Sequence, residues 1–274
     1  MEPLRVFSFG GGVQSVSVLA LQVQGKLIQP YHAFVFANVG EDSENPATLD
    51  YLEEFVKPLC AAQSIRFGEV RKLRYKKPDT VYQSVVRDNR SVPIPVKLQS
   101  GAFGNRSCTN YFKVEVVDKW IREQGAAAAV VGIGFSADEG RRIEKKPVGW
   151  HDHHKGQKFG FSKLFEFPLI PLMLRRRDCE RVIIDFGLPL PPPSLCWFCP
   201  FSTRAHWIEM KKHEPERFQQ AIELEHRINE KRQSFDKDMV YLHRDGIPLE
   251  AVGTQLALEA DIANGSCEEG YCGL

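Results

Sequence analysis

No stretch of this 274-residue chain approaches the roughly 18 consecutive apolar residues that mark a membrane-spanning helix, so no membrane association is expected. Its N-terminal segment lacks the charged, apolar, small-residue order of a secretory leader, which predicts a cytoplasmic protein. Net charge is also nearly absent, at +1, and gives no global reason to expect nucleic-acid binding. Internal repeats are missing. A hydrophobic share of 43% against 26% charged residues leaves enough apolar surface for a folded core and excludes long disorder. Two common phosphate-binding patterns are absent as well. GxxxxGK[ST] does not occur, and a GxGxxG fingerprint fails at Ser15, where its third glycine would fall.

What is present begins at Ser8–Ser15 (SFGGGVQS). Leu4 to Phe9 reads as a strand, and Val13 to Gln24 as a helix with Val16, Leu19, Ala20 and Val23 on one face. Gly10, Gly11 and Gly12 lie between them, where backbone N–H groups and a helix N-terminus can meet an anion, so a phosphate cradle is expected. Strands at Tyr31–Asn38 and Ser64–Val70, with a helix over Asn45–Ala62 between them, continue an alternation that predicts a doubly wound, mostly parallel α/β sheet. A helix at Thr109–Gln124, a strand at Ala126–Phe135, a proline-interrupted edge strand or extended segment at Phe165–Leu172 and a short helix at Asp178–Phe186 extend it. The expected division is an α/β domain over residues 1–186, with an insertion at 72–106 covering the site, and a helical, cysteine-bearing region over 187–274. Basic runs at Arg71–Lys77, Arg141–Lys146 and Arg175–Arg177 are expected to be solvated faces. Asp138, Glu139, Arg141 and Arg142 follow the Ala126–Phe135 strand, where guanidinium groups suit phosphate and the acids suit magnesium or those same arginines.

Seven cysteines in a chain of this kind point to metal or redox chemistry rather than structural disulfides. Cys196 and Cys199 form Cys-x-x-Cys behind a proline-rich stretch, Cys108 sits just before a helix, and Cys267 and Cys272 are flanked by glycines. Four such thiolates fit zinc or an iron–sulfur cluster, and the long gap between Cys108 and the pair favours a cluster. Gly270 and Gly273 make Cys272 the preferred fourth ligand, with Cys267 or an open iron as alternatives. Trp197, Phe198, Phe201 and Trp207 are expected to pack around that centre. Cys60 and Cys179 read as buried and inert, and His151, His153 and His154 as polar surface.

The Gly10–Ser15 segment resembles the SGGxDS pyrophosphate loop of ATP pyrophosphatases and of the phosphoadenylylsulfate reductase family. Ser15 stands at the closing serine, Gly10 replaces the first serine with Ser8 two residues earlier, and Gln14 replaces the aspartate. RSCTNYFK (Arg106 to Lys113), GIGFSADEGRR (Gly132 to Arg142) and GLPLPPPSLCWFCPF (Gly187 to Phe201) follow in the order seen in the iron–sulfur branch of that family. The resemblance implies an adenine nucleotide alpha hydrolase-like fold that binds ATP with Mg2+ through Ser8, Gly10, Gly11, Gly12, Gln14 and Ser15. It also places Phe36, Asn38, Gly40 and Glu41 against the nucleotide, and Asp138, Glu139, Arg141 and Arg142 at the reacting phosphate. A [4Fe-4S] cluster on Cys108, Cys196, Cys199 and Cys272 is implied, although Ser107 breaks the family's Cys-Cys pair. The implied activity is adenylation of an acceptor followed by sulfur transfer, with sulfide or a cysteine desulfurase as donor and tRNA, DNA or a small molecule as acceptor. The alternatives are a thioredoxin-dependent adenylylsulfate or phosphoadenylylsulfate reductase, whose terminal Glu-Cys-Gly-Ile/Leu-His is replaced here by EEGYCGL, and a non-catalytic nucleotide- or cluster-sensing module. A homodimer is left open.

Overall fold

The computed structural model describes residues 2–153 and 160–253, and the chain divides into two compact units. The first gathers the residues up to Lys76 with Tyr111–Ser194, and the second joins Lys77–Asn110 to the residues from Leu195 onward. Most of the segment read as an insertion is thus grouped with the Cys-x-x-Cys region.

The first unit is built on six strands: β1 (Leu4–Phe9), β2 (Ala33–Asn38), β3 (Arg66–Arg71), β4 (Ala128–Ile133), β5 (His151–His153) and β6 (Phe161–Glu166). Their order is β3-β2-β1-β4-β6-β5. The first five in that order run parallel, and β5 closes the edge antiparallel to β6. Helices α1 (Val13–Val23), α2 (Pro46–Tyr51, continued through a π turn at Leu52–Val56 into Lys57–Ala62), α3 (Glu115–Glu123) and α4 (Arg176–Asp185) cover the sheet. This is the doubly wound α/β architecture that the alternation predicted.

Strand alternation explains why helices are needed on both faces. Phe7, Phe9, Phe34 and Phe36 point to one side, where they pack with Val16 and Leu19 of α1, Tyr51, Leu52 and Cys60 of α2, and Cys179 and Ile183 of α4. The intervening Val6, Ala33, Val35 and Ala37 point to the other, against Val117, Trp120 and Ile121 of α3. Every residue of β2 is buried. Asn45 caps α2 by accepting from Ala47 N–H at 3.1 Å, with Pro46 in the first turn.

One strand departs from expectation. Of the segment expected as an edge strand or extended segment over Phe165–Leu172, only Phe165 and Glu166 are strand; they end β6, which starts at Phe161 and lies inside the sheet between β4 and β5, and turns follow. Its pattern is disguised by Lys163, which is buried and holds Asp118 of α3 at 2.5 Å. A charge paired inside the core cannot be told from a surface lysine by periodicity.

The second unit contains helices at Val81–Val86, Arg204–His213 and Pro215–Gln233, and a short antiparallel pairing of Val240–Tyr241 with Lys97–Leu98. Glu225 of the long helix accepts from the N–H groups of Leu242 at 2.6 Å and Leu249 at 2.9 Å. Asn229 exchanges hydrogen bonds with the backbone of Val240 at 2.9 and 2.8 Å. Buried side chains therefore tie down a segment that has little regular structure of its own. Among the described residues no helix is long and apolar enough to cross a membrane.

Candidate functional site

From β1 the chain steps to β2 and β3 on one side, while β4 and β6 lie on the other. The direction of winding therefore reverses between β1 and β4, and the carboxyl ends of these two strands flank the crevice where doubly wound sheets take ligands. Gly10–Gly12 leaves β1 at this point. Gly11 has φ of +79°, and a Cβ there would come within 2.9 Å of the Thr48 γ-methyl group on α2. Backbone conformation and packing both demand glycine. The Ser15 hydroxyl accepts from Gly10 N–H at 2.9 Å, and the Ser194 hydroxyl donates to the Gly10 carbonyl, which fixes the loop from two sides. Gly12 is the N-cap of α1, and the positive end of that helix carries neither a side-chain cap nor an acid in its first turn. Ser8 is half-buried in the strand, in register with Val35 and Ile133 on its two neighbours.

Gln14 bridges the crevice. Its amide nitrogen reaches Glu139 Oε2 at 3.2 Å and Ser136 Oγ at 3.5 Å in the loop after β4, and its oxygen meets Arg176 Nη1 at 3.5 Å. Glu139 is heavily engaged: one carboxylate oxygen takes Ser136 N–H at 3.1 Å and the Ser136 hydroxyl at 3.0 Å, and the other takes the Arg142 guanidinium. This reciprocal capping box makes Glu139 a turn-forming residue. Arg142 also lies over Phe135, 4.3 Å from the ring centroid, with Phe167 stacked beyond. Asp138 accepts from Arg176 N–H at 3.4 Å. Partial burial works against its ionisation, but hydrogen bonds from Ser136, its own backbone and Arg176 outweigh that and hold its carboxyl below the ordinary range. Arg141 is exposed.

The loop after β2 is more occupied than its sequence suggests. Asn38 accepts from Gly40 N–H at 2.8 Å and donates to Glu69 at 2.7 Å. Its amide is committed to shaping the turn, where Gly40 has φ of +116°. Glu41 pairs with Arg71, whose hydrogen bonds lower the Glu41 carboxyl's pKa. Phe36 is buried, with its ring edge 3.7 Å from where a Gly11 Cβ would stand. Two residues that sequence reading missed lie here. Thr48 packs on the glycine loop, and Glu44 is fully buried, with only a weak contact to the Val39 backbone. Burial raises the Glu44 pKa, and the Lys113 ammonium at 3.9 Å offsets part of that rise. Nothing in the sequence distinguishes Thr48 or Ser194, because both matter only through contacts made across the fold.

The cysteine segments belong to the second unit. Cys199 N–H donates to the Cys196 carbonyl at 3.0 Å, Ser202 N–H to the Cys199 carbonyl at 2.9 Å, and Cys108 N–H to Pro93 at 2.8 Å. Arg106 and Phe103 both contact the Phe201 ring, at 5.2 and 5.1 Å. The segments bearing Cys108 and the Cys196–Cys199 pair are thus packed on one another. All three residues are half-buried thiols. Burial lowers the pKa of His206, which is hydrogen-bonded to the Trp197 backbone. Its Nε2, Ser202 Oγ and Trp207 Nε1 are buried without hydrogen-bond partners. The donor chemistry suits a thiolate-held metal. Among the described residues, however, no three His, Cys, Asp or Glu side chains form a group that could hold a metal ion. Cys267 and Cys272 lie outside the described residues, as does His154. Cys60 and Cys179 are buried in the core of the first unit, and burial pushes both thiols up to about 11. His151 packs on Phe165 with ring centroids 5.3 Å apart. No protein-family model matches the chain, and no curated protein sequence matches it either.

Proposed function

We propose that the first unit is an ATP-binding adenylating enzyme whose glycine loop holds the pyrophosphate end of the nucleotide. The observation that carries this reading is Gly11: a left-handed glycine, packed too closely for any side chain, at the carboxyl end of the strand beside the winding reversal. An uncapped helix start with no first-turn acid completes a cradle that attracts phosphate.

In the proposed reaction an acceptor oxygen attacks the α-phosphorus of ATP. A new phosphorus–oxygen bond forms as the bond to the bridging oxygen breaks, and pyrophosphate leaves into the glycine loop with the electron pair. Arg141 neutralises charge on the phosphates, while Arg142, clamped by Glu139 and Phe135, shapes the wall beside them. A sulfur nucleophile then displaces AMP from the activated acceptor. The sequence resemblance implies a [4Fe-4S] cluster on Cys108, Cys196, Cys199 and Cys272, which would supply sulfur binding; the three of these among the described residues do not by themselves form a metal-holding group, and the adenylation step does not depend on the cluster. Calorimetric titration of the full chain with ATP and Mg2+ tests the reading. Saturable binding to one site per chain, blocked in Gly11→Val, is expected, and absence of ATP binding by the folded protein overturns it.

A further inference from the structure

The two basic runs that look like separate solvated faces in the sequence, Arg141–Lys146 and Arg175–Arg177, are one surface in the fold. They follow the carboxyl ends of β4 and β6, which are neighbours in the sheet. Ala137 N–H donates to the Leu174 carbonyl at 2.8 Å, and Arg176 N–H to Asp138 at 3.4 Å, so the loops are bonded to each other. Arg176 then reaches Gln14 of α1, which makes the surface continuous with the glycine loop.

Residues 137–150 and 174–181 carry eight cations against five acids, in a chain whose total charge is only +1. Four of those acids already have cationic or backbone partners. Glu139 holds Arg142, Glu180 holds Arg176, Asp178 accepts from Arg175 N–H and faces Arg181, and Asp138 accepts from Arg176 N–H. Arg141, Lys145 and Arg177 remain exposed, with no acid ion-paired to them among the described residues. One exposed indole lies on the same loop as Arg141 and Lys145. Trp150 is 50% exposed, and the pairing of His151 with Lys163 places Trp150 one step nearer the carboxyl edge of the sheet. Val148 and Met173 are exposed on the same pair of loops.

A single small anion needs one or two of these cations. Cations spread over two loops, with an exposed indole on one of them, match instead a chain of phosphates with accessible base faces. We propose that this surface docks a single-stranded segment of a polynucleotide, and that the acceptor adenylated at the adjoining site is part of that polynucleotide. The second half of the proposal rests on the ATP-dependent reading above; the docking itself does not.

The test is fluorescence anisotropy of the full chain with labelled 20-nucleotide single-stranded RNA and DNA, without ATP, across a salt series. Binding that weakens with salt with a log–log slope of about −2, as for three phosphate contacts on a single strand, is expected. Lys145→Glu with Arg177→Glu should weaken it at least tenfold. Trp150→Ala should weaken it several-fold with the salt slope unchanged, because stacking releases no counterions. The same variants should retain wild-type affinity for ATP by calorimetry. Oligonucleotide affinity unchanged in the Lys145/Arg177 variant, equal competition by polyglutamate, or no binding at all overturns the docking proposal. Loss of ATP binding with oligonucleotide binding intact instead overturns only the adenylation reading.

Discussion

Gly11→Ala isolates the constraint on which the nucleotide reading rests. At φ of +79° an alanine sits in the left-handed region, which costs about 1–2 kcal/mol relative to an ordinary conformation. Its methyl carbon would stand 2.9 Å from the Thr48 γ-methyl, well inside the ~3.5–4.0 Å of a favourable carbon contact. Relieving that overlap in a packed core adds about 1–3 kcal/mol. The expected loss is therefore about 2–5 kcal/mol in urea unfolding, larger than most single surface changes produce. The two contributions separate in a double-mutant cycle. Thr48→Ser removes the offending methyl but leaves the backbone conformation as it is, so Gly11→Ala should cost about 1 kcal/mol or more less in the Thr48→Ser background. A Gly11→Ala variant within about 0.5 kcal/mol of wild type refutes the strained, close-packed loop. A large loss with no coupling to Thr48 refutes the packing half of the argument alone.

Three further outcomes follow from the same structure. Arg141→Ala should weaken ATP binding about 10- to 100-fold by calorimetry, as expected for a lost charge-assisted hydrogen bond to phosphate, without moving the unfolding midpoint. Removing one partner of the buried Lys163–Asp118 pair, as in Asp118→Asn, should cost about 3–5 kcal/mol in urea unfolding, and Asp118→Leu with Lys163→Met should recover most of it. Burial raises the Glu225 carboxyl from 4.5 to about 7, against the two backbone N–H bonds and His226 that favour its charged form. The folded protein therefore holds this proton more tightly than the unfolded chain. Its contribution is complete below pH ~4.5 and is lost as pH rises through ~7, on the order of 3 kcal/mol. Unfolding at pH 5 and pH 8 should show that loss in wild type and not in Glu225→Gln.

What the sequence made legible was what is local. Three glycines between an apolar strand and an amphipathic helix specify a turn whose φ can be positive, and Gly11 uses that freedom. Aromatic and small residues alternate along Val6–Phe9 and Ala33–Ala37, and the two faces they make pack on different helices. Even the role of Glu139 had a local signal, since Ser136-Ala137-Asp138-Glu139 has the spacing of a capping box. It was obscured because an acid beside two arginines also fits catalysis. Lys163 gave no signal, because the Asp118 that permits its burial lies on another element.

The basic runs show why charge is the least legible feature of all. A cation in sequence has no sign of whether it is spent on a neighbouring acid or left for a ligand. Arg142 and Arg176 look equivalent to Arg141 and Arg177, yet the first two are paired within the fold and the last two are exposed. Only the adjacency of β4 and β6, which no local pattern encodes, turns two ordinary surface runs into one cationic edge beside the glycine loop. The same adjacency gives that edge a direction: Gln14 and Arg176 connect it to the helix start where phosphate would sit. A polymeric acceptor held there would lie along the crevice, with its reacting group carried toward the nucleotide by contacts remote from the chemistry, which is how binding energy outside a reacting centre is converted into rate.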